Sequence, residues 1–238
     1  MAVRELVWQP HGCFAAKGAN VLITGRRLSA LKKVAASNLN IKGFVADASD
    51  PEAVARTVAA ALEYWGRLDI LVNNAGGGVI QPLADANAKT ISEIFGVNVI
   101  GPTLLAAAAI PHLEEAKGAI VNMSSTYGSK AAAGLSLYGA SKAAIEHLTR
   151  CWALELAPKG IRVNAVASGP VETAFLRDRM GLSEEQIKAV KERERQMIPL
   201  GRRGEPDDVA RWVVDLADPE KSWITGQIIT VDGGLVIS

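Results

Sequence analysis

Short apolar blocks of strand length alternate along the chain with segments of helical periodicity, and this alternation limits the possible folds most. Most blocks are apolar at successive positions, as expected for strands that are covered on both faces. The predicted strands are Val21–Thr24, Gly43–Ala46, Leu68–Asn73, Ala119–Met123, Ile161–Ala167 and Gln227–Val231. The predicted helices are Leu28–Ser37, Pro51–Tyr64, Asn87–Leu113, Tyr138–Ala157 and Pro206–Leu216.

The order of these segments from residue 20 to residue 167 is typical of parallel βαβ units. It predicts an α/β fold, a Rossmann-like doubly wound sheet of six or seven mostly parallel strands with helices on both faces. Helix-boundary residues agree: Asp50 can cap a helix that begins at Pro51, and Gly66 can end it. Residues 1–238 contain no internal repeat and no linker-like tract, so we expect a single domain.

Composition and charge exclude several classes of protein. The 238 residues are 49% hydrophobic and 21% charged, as in a compact folded protein. A net charge of +1 gives no electrostatic footprint for nucleic acid or an anionic membrane. No uninterrupted apolar run approaches the roughly 20 residues that span a bilayer, and we recognise no secretory signal, so a cytoplasmic protein is expected. Cys13 and Cys151 predict no disulfide framework, and the three histidines predict no metal site.

Residues 172–205 break the alternation, because they contain no predicted strand and many charged side chains. One interpretation is a solvated helix with ion pairs between residues four positions apart. The other is a mobile lid over the carboxyl ends of the strands, where open α/β sheets bind ligands. The two interpretations are compatible, since a lid needs a polar outer face.

Tyr138 and Lys142 are the first candidates for chemistry, because they lie four residues apart in a predicted helix and so share one face. An ammonium held near a phenol favours the phenolate and lets it exchange a proton nearer neutral pH. The spacing alone is weak, since a helix-surface pair would look the same.

Polar and small residues follow two of the predicted strands. Ser125 comes just after Ala119–Met123, where a sheet would present a substrate carbonyl. Residues 73–76, Asn-Asn-Ala-Gly, end the preceding strand and would allow close approach of a ligand. Asn98 lies inside a predicted helix although asparagine is a poor helix former, so it is either a satisfied buried amide or a functional group.

Together, Asn-Asn-Ala-Gly, Asn98, Ser125 and Tyr138-x-x-x-Lys142 resemble the short-chain dehydrogenase/reductase family. Residues 169–173, Gly-Pro-Val-Glu-Thr, and residues 224–234 are similar to further motifs of that family, and the resemblance covers roughly residues 14–238. It implies an NAD(P)-dependent oxidoreductase that interconverts a carbonyl and a secondary alcohol of a small molecule.

The resemblance also implies roles for single residues. Tyr138 would be the general acid/base, while Lys142 would lower its pKa and hold the nicotinamide ribose. Ser125 would position the substrate oxygen, and Asn98 would anchor a water of the proton relay. Around the cofactor would lie Asn74, Ala75 and Gly76 in the cleft, Asp47 at the adenine, and Val171 and Thr173 at the nicotinamide half.

The choice between NADP and NAD has a separate signal after the strand Val21–Thr24. Enzymes that prefer NAD usually place a carboxylate there to hold the ribose 2′-hydroxyl. Here Gly25 is followed by Arg26 and Arg27, and a guanidinium can instead bind a 2′-phosphate through paired hydrogen bonds. We therefore expect NADP rather than NAD, unless both arginines are ordinary surface residues.

The family's Gly-rich turn, Thr-Gly-x-x-x-Gly-x-Gly, is absent from the sequence. Residues 14–19 resemble the end of the family's first helix, and the thirteen residues before them are too few for a strand, a turn and most of a helix. The first β-α unit is thus expected to be altered or truncated, either as a genuine variant or through a misread reading frame. Ala2–Trp8 could still form a strand, but a weak pyrophosphate grip is expected.

Two long predicted helices, Asn87–Leu113 and Tyr138–Ala157, are apolar on more than one side. They could bury that surface on their own sheet or in a helix-on-helix contact, as in the dimers of related proteins, so a homo-dimer or homo-tetramer is expected. The missing Gly-rich turn leaves one alternative function open: a catalytically impaired homologue that acts as a non-enzymatic binding or oligomer-forming protein.

Overall fold

The computed structural model describes residues 10–178 and 180–238. The predicted strand Ala2–Trp8 lies outside the described residues. The helices are α1 (Pro10–Ala16), α2 (Leu28–Ala35), α3 (Pro51–Trp65), α4 (Ala88–Phe95), α5 (Gly101–Ala116), α6 (Ser136–Leu156), α7 (Phe175–Asp178), α8 (Glu184–Met197) and α9 (Pro206–Ala217). The strands are β1 (Val21–Gly25), β2 (Ile41–Val45), β3 (Ile70–Asn73), β4 (Ala119–Ser125), β5 (Arg162–Ser168) and β6 (Ile228–Val231).

Every strand pair among the described residues is parallel. The order is β1-β2 in one sheet and β3-β4-β5-β6 in a second. The register aligns Asn73 with Asn122 and Ser125 with Ser168, so the carboxyl ends of β3, β4 and β5 lie side by side. Between β1 and β3 lies a cavity of about 490 Å3, lined by Val21 and Leu22 on one side and by Ile70 and Val72 on the other.

Helices cover both faces of this parallel arrangement. On one face, Phe14 of α1 and Val209 and Val213 of α9 pack in one cluster with Ile23 and Val121. On the other face, side chains of α3, α5 and α6 pack against β3, β4 and β5, and they include Val54, Leu105, Leu113, Leu156, Leu71, Ile120 and Val163. The predicted Rossmann-like, doubly wound fold class is therefore confirmed. β2 is largely exposed, as expected of an edge strand.

Helix boundaries follow local chemistry closely. At the start of α3, Asp50 Oδ1 accepts a hydrogen bond from the Glu52 N–H at 3.0 Å, and Pro51 occupies the first turn. Gly66 ends the helix in the left-handed conformation at φ 67°, which glycine adopts without a Cβ clash. The boundaries predicted from Asp50, Pro51 and Gly66 are therefore confirmed.

The predicted helix Asn87–Leu113 is divided in the structure. Asn87 caps α4, a π-helical turn at Gly96–Ile100 follows, and α5 continues to Ala116. A π-turn inserts one extra residue into the helix and is frequent at functional sites, and this one carries Asn98. Gly101 begins α5 against the Ala48 carbonyl, where an added Cβ would overlap the oxygen.

Taken together, the helical stretch Ala88–Ala116 is long and apolar enough to cross a membrane by length and composition. The count of uninterrupted apolar runs in the sequence missed it, because polar residues divide the stretch. The signal is weak, since core helices of globular proteins pass the same test, and this one packs on α3, α6, β3 and β4.

Residues 172–205 contain the helices α7 and α8, and an isolated parallel bridge between Val171 and Gly204 brings the two ends of this segment together. Ser183 and Gln186 form a capping box at the start of α8. Most of α8 is exposed, as the solvated-helix interpretation predicts, although Glu194 is buried.

Candidate active site

A cavity of about 620 Å3 opens at the carboxyl ends of β3, β4 and β5 and brings together most of the predicted site residues. Those that line it are Asn74, Gly76, Ser125, Tyr138, Lys142, Val171 and Thr173. Asn98 lies behind its wall. Asp47 and Ala75 line a separate small cavity beside β1 and α5, and Arg26 lies next to Asp47. The sequence-predicted set is thus split between two neighbouring places.

Tyr138 and Lys142 lie one turn apart near the start of α6, and both side chains are buried. The Lys142 Nζ is 5.8 Å from the centre of the Tyr138 ring. It donates a hydrogen bond to the Met123 carbonyl at 2.9 Å, which holds the lysine against the end of β4. The helical spacing therefore places phenol and ammonium on one wall of the cavity.

Burial dominates the acid–base properties of both groups. It raises the pKa of Tyr138 to about 12, although a hydrogen bond with Ser125 acts in the opposite direction. It lowers the pKa of Lys142 to about 8, opposed by the charge of Glu146. The net direction for the pKa of Tyr138 is upward, because burial of the phenolate outweighs the hydrogen bond with Ser125, and the lowering expected from Lys142 stays a prediction.

Ser125 is the last residue of β4, and its position depends on the turn that follows. Its Oγ accepts a hydrogen bond from the Tyr127 N–H at 3.3 Å, and its side chain hydrogen-bonds with Tyr138. Thr126 donates to Asp232 Oδ2 at 2.9 Å, which ties the turn to the chain after β6. The serine hydroxyl and the tyrosine phenol therefore meet in the cavity.

Asn98 is 2% exposed, and its side-chain amide holds the glycine run, residues 76–78, that follows β3. Its Oδ1 accepts from the Gly77 N–H and its Nδ2 donates to the Gly77 carbonyl, both at 2.9 Å. The same Nδ2 donates to Ser141 Oγ at 2.9 Å, and Ser141 donates to the Tyr138 carbonyl at 2.7 Å. Through the side chain of Asn98, the π-helical turn is thus bonded both to the glycine run and to α6, the helix that carries Tyr138 and Lys142.

The glycine run makes room for a flat ligand beside Tyr138 and Lys142. A Cβ on Gly76 would lie 3.4 Å from Asn98 Oδ1 and 3.5 Å from Lys142 Nζ. A Cβ on Gly78 would lie 3.0 Å from Cδ2 of the Tyr138 ring. Side chains here would fill the space in front of the phenol and the ammonium, so the residues present fit the nicotinamide–ribose half of a dinucleotide.

Asp47 lies at the end of β2, 3.7 Å from the Arg26 guanidinium. Its Oδ1 also accepts from the N–H and the hydroxyl of Ser49, at 3.0 and 2.7 Å. The Arg26 side chain is 54% exposed. The Arg26 guanidinium is therefore accessible to solvent at this end of the sheet, although it lies beside the Asp47 carboxylate.

Four residues near the cavity were missed by the sequence reasoning: Ser141, Glu146, Tyr127 and Arg203. Glu146 follows Lys142 by four positions on the helix, so its spacing could have identified it. Tyr127 and Arg203 line the cavity, yet no motif marks them. Their positions depend on how the turns after β4 and α8 fold back.

Arg203 joins the segment 172–205 to the loop that carries Val171. Its side chain is 3% exposed and forms ion pairs with Glu194 of α8 and, at 3.1 Å, with Glu172. It also donates to the Val171 carbonyl at 2.6 Å. Lys191 of α8 pairs with Glu172 as well. These contacts hold α8 beside the cavity.

Comparisons with known proteins show which family the chain is similar to. A family model described as enoyl-(acyl carrier protein) reductase matches residues 11–236. An uncharacterized oxidoreductase of Mycobacterium tuberculosis is 39% identical over 228 residues, which are 93% of this chain and 84% of that protein.

Two solved structures are also similar. One is a short-chain dehydrogenase/reductase of unknown function from Caenorhabditis elegans with cofactor, with a TM-score of 0.88, 32% identity, and coverage of 94% of this chain and 89% of that one. The other is a 3-ketoacyl-(acyl-carrier-protein) reductase from Brucella melitensis complexed with NADH, with a TM-score of 0.86, 33% identity, and coverage of 94% and 90%.

The fold, the site and these similarities define the class of the protein as an oxidoreductase built on a Rossmann-like sheet. Within that class, the chain belongs to the short-chain dehydrogenase/reductase family. The resemblance drawn from the sequence is confirmed, and the similar structures support a nicotinamide cofactor.

Proposed function

We propose that the protein interconverts a carbonyl and a secondary alcohol of a small molecule, with Tyr138 as proton donor and acceptor. One observation carries the proposal: Ser125, Tyr138 and Lys142 line one cavity at the carboxyl ends of the strands, where doubly wound sheets bind ligands. When bound, a nicotinamide dinucleotide supplies the hydride. The protein supplies orientation, exclusion of water and a proton.

Ser125 binds the substrate oxygen and holds it near the phenol. Tyr138 then donates its proton to that oxygen during reduction and takes it back during oxidation. Its pKa, raised to about 12 by burial, keeps the phenol protonated at neutral pH, which suits reduction. The rate of alcohol oxidation should therefore rise as the pH increases above neutrality.

Lys142 and the glycine run would hold the nicotinamide–ribose half. Lys142 would bind the ribose hydroxyls, and Asn74, Ala75 and Gly76 would line the cleft. Val171 and Thr173 would hold the nicotinamide side, and Asp47 would hold the adenine. We assign to Asn98 the role of anchoring a water that returns protons to Lys142, because its amide already orders this wall.

The proposed substrate is largely apolar next to its reacting oxygen. Apolar side chains dominate the part of the cavity beyond Tyr138, including Ile80, Leu135, Phe175, Leu176 and Met180. Part of this lining comes from residues 172–205, which we propose act as a lid within a single domain of residues 1–238. The contacts of Arg203 with Glu194 and Glu172 support a lid that is held down.

NADP is the proposed dinucleotide, because the exposed Arg26 can bind a 2′-phosphate with paired hydrogen bonds. The test is a calorimetric titration of wild type and Arg26→Glu with NADPH and NADH. Wild type should favour NADPH, and the variant should lose that preference. Lys33→Met, a change of an exposed basic residue on α2, is the matched control. Equal preferences in wild type and Arg26→Glu would rule out this role.

Weak binding of either dinucleotide is expected, because the sequence has no Gly-rich turn to hold the pyrophosphate. A dissociation constant for NADPH below about 1 µM, under the lower end of common KM values, would contradict this expectation.

The activity test compares wild type with Tyr138→Phe on a panel of ketones and secondary alcohols, read by nicotinamide absorbance. Loss of turnover in the variant, with dinucleotide binding retained, is the expected result. Tyr64→Phe, at a half-exposed tyrosine outside the cavity lining, is the control and should keep activity. Turnover that survives in Tyr138→Phe would refute the role of the phenol.

The missing Gly-rich turn favours a second candidate, a homologue that no longer catalyses and acts as a binding or oligomer-forming protein. Absence of binding of either dinucleotide at millimolar concentration would support it. Binding of a dinucleotide with turnover that depends on Tyr138 would exclude it. The same titration therefore separates the two candidates.

We also propose that the protein is a homo-dimer or homo-tetramer. Several large apolar side chains on the helices 88–116 and α6 are exposed, namely Ile91, Ile100, Leu104 and Leu154. Burial of such a surface between copies is favourable at about 25 cal/mol for each Å2. Light scattering should give a dimer or larger at micromolar concentration, and a monomer would contradict the proposal.

A further inference from the structure

Glu146 is a buried carboxylate on α6 that the proposed reaction does not use. It is 4% exposed and lies one helical turn after Lys142. Its Oε1 accepts a hydrogen bond from Ser124 Oγ at 2.7 Å, and its Oε2 accepts one from Ser129 Oγ at 3.3 Å. Both serines belong to the segment around the end of β4. Buried carboxylates are costly unless they are paired or hydrogen-bonded, so these two serines are what allows Glu146 to be buried here.

Residues 124–129 are built to close over this carboxylate. A Cβ on Gly128 would overlap Glu146 Oε1, so a side chain at this position would push the turn away. A Cβ on Gly139 would lie 2.7 Å from the Tyr127 carbonyl, which shows a second close approach between the turn and α6. The turn therefore contacts the helix through glycines and is fastened to it by the two serines.

The segment 124–129 carries Ser125, whereas α6 carries Tyr138 and Lys142. Lys142 Nζ also donates to Met123 O at 2.9 Å, one residue before Ser124. The position of the Ser125 hydroxyl relative to the Tyr138 phenol thus depends on the hydrogen bonds that Glu146 and Lys142 form with residues 123–129. A shift of the turn by a fraction of an ångström would change that geometry, and misplacement of reacting groups on this scale is costly for catalysis.

Glu146 also acts on the charge of Lys142. Residues four apart on a helix are neighbours, and a carboxylate at this spacing favours the charged form of a lysine. Tyr138 and Glu146 are the titratable neighbours of Lys142 along α6, and Tyr127 lines the same cavity from the turn. Asp232 is the carboxylate that approaches this turn from the chain after β6, through its hydrogen bond with Thr126. The charge of Glu146 raises the pKa of Lys142 against the larger, opposite effect of burial.

We propose that Glu146 is a positioning residue of this active site, which fastens the Ser125-bearing turn to α6 and serves as the buried counter-charge of Lys142. The inference rests on the proposed function, because it assigns Glu146 a part in the same reaction. It acts through Lys142 and the two serines, and it contacts neither substrate nor dinucleotide.

The first experiment measures the pH dependence of kcat/KM for carbonyl reduction by wild type and Glu146→Gln. Glutamine keeps the size of the side chain and an oxygen for Ser124, but it removes the charge. The alkaline limb, which reports loss of the Lys142 proton, should move down by about one pH unit, the effect of one neighbouring opposite charge. kcat should fall at pH 8 while KM changes little. Glu155→Gln, at an exposed glutamate of the same helix, should keep the wild-type profile.

A second variant separates geometry from charge. Ser129→Ala removes one fastening hydrogen bond and leaves the carboxylate charged, so kcat should fall without movement of the alkaline limb. Glu146→Asp keeps the charge on a shorter side chain and should restore the pH profile more fully than kcat. If Glu146→Gln fails to fold, these two variants still test the proposal. A wild-type kcat and pH profile in Ser129→Ala and Glu146→Gln would overturn it.

A measurement without turnover distinguishes failure of this inference from failure of the proposed function. Urea unfolding of wild type, Glu146→Gln, Lys142→Met and the double variant gives the coupling between the two side chains. Strong coupling at pH 7 is expected even if no substrate is turned over. Additive effects in this cycle would overturn the counter-charge role, whereas coupling together with an inactive wild type would refute only the proposed reaction.

Discussion

Replacing Lys142 by methionine is expected to make the protein more stable at neutral pH although it should abolish turnover. Burial lowers the pKa of this lysine from 10.5 to about 8, because the ammonium is removed from water. The folded protein therefore binds that proton less tightly than the unfolded chain. The resulting cost is full below pH 8 and disappears as the pH rises towards 10.5.

The magnitude follows from the two pKa values. A change from 10.5 to about 8 corresponds to about 3 kcal/mol, at roughly 1.36 kcal/mol for each pH unit. Methionine has a similar length and no charge, so it removes this cost but also removes the hydrogen bond to Met123 O, worth about 1 kcal/mol. The net gain should be about 2 kcal/mol at pH 7 and about 1 kcal/mol at pH 9.

The assay is urea unfolding at pH 7 and pH 9, followed by tryptophan fluorescence, with equal slopes required in both proteins. Lys33→Met, at an exposed lysine of α2, is the control and should show no dependence of its effect on pH. A Lys142→Met protein that is less stable than wild type at pH 7 would refute the reasoning. So would a stability difference that is equal at both pH values.

Three further substitutions test the packing around the site. Gly101→Ala should lower the free energy of unfolding by about 2 kcal/mol, because its Cβ would overlap the Ala48 carbonyl; thermal denaturation measures this. Lys117→Gly should raise the denaturation temperature by relieving about 1 kcal/mol of left-handed strain at φ 50°, and an unchanged temperature would contradict it. Glu172→Ala should lower the free energy of unfolding by about 2 kcal/mol, because the buried Arg203 loses one of its two carboxylate partners. The same change should speed proteolysis within residues 172–205. A wild-type cleavage rate would show that this ion pair does not hold the segment in place.

Much of the site was accessible from the sequence because its residues follow local rules. Tyr138 and Lys142 share a face because they are four residues apart on a helix. Ser125 lies at the end of a strand that the apolar run Ala119–Met123 predicts. Glu146 escaped notice although its spacing from Lys142 is equally regular. A glutamate on a helix is ordinarily solvated, and only the turn that closes over it makes it a buried partner.

The sequence by itself determined the order of strands and helices, their parallel arrangement and the family, because periodicity and short motifs are properties of neighbouring residues. The tertiary structure decided the π-helical turn at Gly96–Ile100, the cavity between β1 and β3, and the contacts of Glu146 and Arg203. Each of these depends on which distant segments pack together. Burial then sets the charge of Lys142 and Tyr138, and no run of neighbouring residues encodes how much water reaches a side chain.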